Sequence, residues 1–122
     1  MVNTVMLVGR LVNEPEIIEK ENGLKLSKIT IAVNRRFKGP DGVYHTDFID
    51  CTLWNNFALN VSEYCTKGDL IGIRGRLQVD FLEQEGKKKK YVDVIAENIT
   101  FISSQKNKDI KEIKLTSDED NK

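Results

Sequence analysis

The chain has 122 residues, with 19 Lys or Arg against 19 Asp or Glu, so its formal net charge is zero. That length specifies one domain able to bury a core without staples, and the balance excludes any case for nucleic acid from global electrostatics, so cationic surfaces have to be local. The two cysteines, Cys51 and Cys65, lack CxxC spacing and read as small buried hydrophobes; with no signal peptide and no membrane-length apolar run, a cytoplasmic protein is expected.

Val5 to Val12 is apolar on both faces, as in a central strand. Lys25 to Arg36 alternates, with Ile29, Ile31 and Val33 inward and Lys28, Thr30, Ala32 and Asn34 outward. Lys38-Gly39-Pro40-Asp41-Gly42 turns the chain into a third strand, Tyr44 to Trp54, which presents Ile49, Cys51 and Leu53 to the core. Asn55 or Asn56 can cap a short helix buried at Phe57, Val61, Tyr64 and Cys65, and Lys67-Gly68 ends it. Asp69 to Leu82 is a strand with Ile71, Ile73, Leu77, Val79 and Phe81 inward and Arg74, Arg76 and Gln78 outward. Gln84 to Lys90 reads as a basic hairpin loop, and Tyr91 to Ile102 as the last strand. Residues 1–105 form the domain; residues 106–122 hold five Lys and five acidic residues with few apolar ones, and read as a disordered polar tail, acidic at its end.

Three strands, a helix and two strands is the order of the OB-fold, an all-β five-stranded Greek-key barrel whose second and third strands carry oligonucleotides or oligosaccharides. The outer face of the third strand carries Phe48 and Trp54 beside Asp50 and two threonines. Large rings on a polar face mark either an interaction surface or cover by another element. Arg35, Arg36 and Lys38 flank Phe37 at one hairpin tip, and Lys87, Lys88, Lys89 and Lys90 crowd another. Taken alone, the lysine run reads as a solvated turn, and Arg74 and Arg76 serve equally as ion-pair partners of Asp50 or Asp80. Together they form the combination of cations and rings that single-stranded nucleic acid needs.

The runs VNTVMLVGRLVNEPE from Val2, ITIAVNRRF from Ile29, DFIDCTLW from Asp47, VSEYCTKGD from Val61 and GRLQ from Gly75 resemble the bacterial single-stranded DNA-binding protein family over about residues 2–104. The resemblance implies base stacking on Phe37, Phe48 and Trp54; the family's fourth aromatic position falls on Leu82. It also implies single-stranded DNA as ligand, a homotetramer with DNA wrapped around it, roles in replication, recombination and repair, and no cofactor. Family tails end in acids followed by a hydrophobic tip that recruits replication and repair proteins; this chain stops at SDEDNK, with the acids and without the tip.

No enzyme constellation is present. His45 is the single histidine, Asp47 and Asp50 point to opposite faces, and no phosphate loop, nucleophile site or metal-ligand set is spaced correctly. Alternative readings are an OB-fold primosome-assembly protein of the primosomal replication protein N type, which is dimeric, and an RNA-binding OB module.

Overall fold

The computed structural model describes residues 1–103. The expected tail at 106–122 lies outside the described residues. The elements are β1 (Val5–Leu11), β2 (Ile18–Glu19), β3 (Lys25–Lys38), β4 (Tyr44–Trp54), α1 (Asn56–Tyr64), β5 (Leu70–Gln84) and β6 (Lys87–Ser103). The sheet order is β1-β5-β6-β4-β3-β2, and β1 also pairs with β3, which closes the five long strands into a barrel. Gly9 stands where β1 passes from one partner to the other. A Cβ there would lie 2.5 Å from the Ala32 carbonyl oxygen, so closure needs a residue without one.

The core takes side chains from nearly every element: Leu11, Ile29, Ile31, Cys51, Leu53, Ala58, Val61, Ile71, Ile73 and Val94 are buried. On β3 and β4 the expected alternation holds, with Val33 and Ile49 half-buried at the edge of the core. Helix α1 plugs the barrel through Ala58, Val61 and the following Cys65, while Phe57 and Tyr64 are only half-buried; Tyr64 stands edge-on to Phe101 at 6.0 Å.

Both expected helix ends need correction. Asn55 precedes the helix at φ 50° and makes no side-chain cap. It prolongs the β3–β4 ladder instead: its N–H donates to the Lys25 carbonyl at 2.8 Å, and its Oδ1 accepts from the Lys25 N–H at 3.4 Å. At the other end the chain is already extended at Cys65. Gly68, at φ 96°, serves the later turn into β5, where its N–H reaches the Leu11 carbonyl at 2.7 Å.

The larger correction concerns β5 and β6. Their pairing continues from Leu70–Ser103 to Gln84–Lys87, well past the end of the barrel, as a two-stranded ribbon. Leu77, Val79 and Phe81 have the parity of Ile71 and Ile73, but no core underlies them, and they are exposed, Phe81 at 63%. Lys87 to Lys90 belong to β6, not to a loop: the turn is only Glu85-Gly86, both at positive φ (53° and 76°), the backbone of a type I′ hairpin. β1 has strand neighbours on both sides, and Met6 and Val8 on its outer face are 76% and 56% exposed, apolar surface that the barrel itself leaves uncovered.

Candidate nucleic-acid interface

The β3–β4 register sets the rows of the outer face: Asn34 beside Thr46, Ala32 beside Phe48, Thr30 beside Asp50, Lys28 beside Thr52 and Leu26 beside Trp54. Phe48 is 65% exposed, with only a methyl group as cross-strand neighbour, so its ring is open to solvent. Trp54, six residues along the same face, is half-buried at the rim of a depression shared with Lys20, Glu21, Asn22 and Leu24. Phe37 is 80% exposed near the far end of β3, where a register shift between Asn34 and Lys38 interrupts simple alternation. The three rings are thus strung along two paired strands, about 20 Å separating Phe48 from Trp54 at strand rise.

Side-chain pairs order the polar residues between the rings. The Thr30 hydroxyl donates to Asp50 Oδ1 at 2.7 Å, the Thr46 hydroxyl to Asn34 Oδ1 at 2.7 Å, and the Thr52 hydroxyl to the buried Asp93 at 2.6 Å. Of the expected cations, Arg35 is engaged: its guanidinium grips Asp47 through Nε and Nη2, the shortest contact being 2.9 Å. Hydrogen bonding first, then charge attraction, raises the Arg35 pKa; the same hydrogen bond lowers that of Asp47. Asp47 has the parity opposite to Phe48, so Arg35 is drawn away from the rings. Arg36 is exposed with no ion pair among the described residues, and Lys38 lies over the Tyr44 ring at 5.6 Å.

The ribbon extends this face. β6 joins β4 in parallel at Cys51–Val94 and Thr52–Ile95, and Ile95 is opposite Arg76, so Thr52, Ile95 and Arg76 share the outer row. Alternation from there puts Leu82, Lys87, Lys89 and Tyr91 on the outer face and Lys88, Lys90, Phe81 and Val92 on the reverse. The four lysines are therefore divided two and two. Leu82 is 53% exposed and offers no ring. Tyr91, opposite Asp80, supplies an aromatic nearby that the sequence reading missed; placing the turn at Glu85-Gly86 would have revealed it, because that fixes the hairpin register.

The two arginines of β5 differ in setting. Arg76 lies 4.0 Å from Glu97, a partner different from the Asp50 or Asp80 considered from sequence. Arg74 lines a shallow groove with Met6, Val8, Gly72, Asn98 and Ile102, none of which is an expected stacking residue. His45 sits 3.0 Å from Asp41 in the β3–β4 turn, and among the described residues no group of three or more metal-ligating side chains occurs.

A chain with this barrel and these exposed rings has many relatives. "Single-stranded DNA-binding protein B" of Bacillus subtilis (strain 168) is 41% identical over 103 residues, 84% of this chain and 91% of that protein. A "Single-stranded DNA-binding protein" of Bacillus cereus is 42% identical over 84% of this chain and 61% of its own length, so this chain spans less than two thirds of that relative. "Single-stranded DNA-binding protein 2" of Streptococcus agalactiae serotype III is 32% identical over 97% of this chain and 90% of that protein. The profile of the single-strand binding protein family matches residues 2–102, and the chain belongs to that family.

Proposed function

We propose that the protein is a non-catalytic binder that coats single-stranded DNA during replication, recombination and repair. The observation that carries this reading is the Phe48 ring, open to solvent on a strand face where Ala32 lies beside it and the flanking rows carry the hydroxyls of Thr30 and Thr46, the Asn34 amide and the Asp50 carboxylate. Base faces stack on such rings whatever their sequence, while cations track the backbone. Phe48, Trp54 and Phe37 are the stacking platforms, and Tyr91 stands in for the ring absent at Leu82. Arg36, Lys38, Arg76, Lys87 and Lys89 meet phosphates; Arg35 joins them where phosphate displaces Asp47. The family and the uncovered Met6, Val8 and Ile102 support a homotetramer around which the strand wraps, acting at the nucleoid.

Trp54, the one tryptophan, gives the test. Oligo(dT) should quench its fluorescence and duplex DNA should not, since duplex bases are already stacked. Trp54→Ala should cost about 1–3 kcal/mol of affinity for the single strand, the range for one stacked base, with the melting temperature little changed. Full affinity with a large fall in melting temperature would make Trp54 a packing residue, and stronger binding of oligo(U) than of oligo(dT) would redirect the reading to RNA.

A further inference from the structure

We infer that Asp50 reads the edge of the base stacked on Phe48 and favours bases bearing an exocyclic amino group, a modest preference superimposed on general single-strand binding. The inference rests on the reading of this face as the DNA site. Asp50 follows Phe48 by two residues on the same strand face, about 7 Å along the strand. A base lying over the Phe48 ring therefore brings one of its edges toward that carboxylate. The carboxylate is exposed, and the Thr30 hydroxyl, donating to Oδ1 at 2.7 Å, fixes its orientation. Among the described residues Oδ2 has no hydrogen-bond donor and no cation lies within ion-pair distance of Asp50.

An ionised carboxylate only accepts hydrogen bonds. Phosphate oxygens therefore cannot be its partner, and an acid in the middle of the path pushes the backbone toward the cationic rim, leaving bases to face the strand. Among pyrimidines, cytosine offers an amino group at N4, whereas thymine offers carbonyl oxygen at the equivalent position. On the other side of Phe48, Asn34 has its oxygen taken by Thr46, which leaves its amide N–H donors for a base carbonyl. Cytosine can satisfy both flanks; thymine meets an acceptor at Asp50.

Competition between oligo(dC) and oligo(dT) of equal length tests this, with both strands unstructured. Asp50→Asn should lower the ratio of dC to dT affinity by about three- to tenfold, the net scale of one hydrogen bond exchanged against water. Thr30→Val, which keeps the charge but frees the carboxylate, should move the ratio part of the way. If Asp50→Asn strengthens both homopolymers equally, Asp50 merely repels phosphate and the inference is overturned. An unchanged ratio in both variants overturns it as well. Failure of the unaltered protein to bind either strand would remove the proposed function together with the inference, a distinct result from binding without discrimination.

Discussion

At the scale of single residues, position in the barrel decides what a side chain can do. Cys51 points inward from β4 and Asp50, its neighbour, points out. Burial above all, then the negative charges of Asp93 and Asp50, push the Cys51 thiol up to about 12. The thiol keeps its proton in the folded protein at pH values where the unfolded chain, with a thiol near 9.0, has released it. Between those limits the unfolded state binds fewer protons, so stability falls as pH rises, by about 1.4 kcal/mol per unit. Thermal melts between pH 8 and 11 should show this decline, and Cys51→Val should flatten it relative to the unaltered chain. An equal slope in both proteins would mean that other groups cause it.

Among the elements, β3 and β4 were legible from sequence because one face of each lies on the core, so alternation translates directly into Ile29, Ile31, Cys51 and Leu53 inside and Phe48 outside. The β5–β6 ribbon was not. Its alternation is equally regular, but periodicity reports which residues share a face and is silent on whether anything covers it; Val79 and Phe81 have core parity and stand in solvent. The lysine run misled for a related reason, since a glycine among charges resembles a loop while two residues at positive φ suffice to turn the chain. The candidate rings were legible for the same reason as the core, and Tyr91 was hidden until register was known. The division of the lysines makes a prediction: Lys87→Ser with Lys89→Ser should reduce the slope of log affinity against log salt by up to about 1.4, at roughly 0.7 per phosphate contact. Lys88→Ser with Lys90→Ser should leave it nearly unchanged, and equal effects of the two pairs would show that alternation does not govern which lysines meet the strand.

The whole molecule leaves apolar surface on β1 and its neighbours that one barrel cannot cover: Met6, Val8 and Ile102 line one groove with Gly72 at its floor. A second chain laid against it would remove these side chains from water, at about 25 cal/mol per Å² of apolar surface. For the proposed homotetramer, light scattering should give four times the 14.0 kDa chain mass. Val8→Lys should lower that mass and leave the barrel folded, and a monomer at micromolar concentration in the unaltered protein would refute both the tetramer and the wrapping.

The ribbon carries a hazard of its own. Beyond the barrel, β5 and β6 pair only with each other, so each presents an outer edge of backbone donors and acceptors, above a row of exposed Leu77, Val79, Phe81 and Val92. Ribbons of that kind invite edge-to-edge addition of further strands, and lysines along an edge are a recognised defence against it. Lys87 to Lys90 are spaced along one such edge, where like charges on neighbouring molecules would oppose growth into a shared sheet. The four charges thus favour solubility beside the binding role proposed for Lys87 and Lys89, and a variant stripped of all of them would become prone to aggregation before its affinity for DNA could be read.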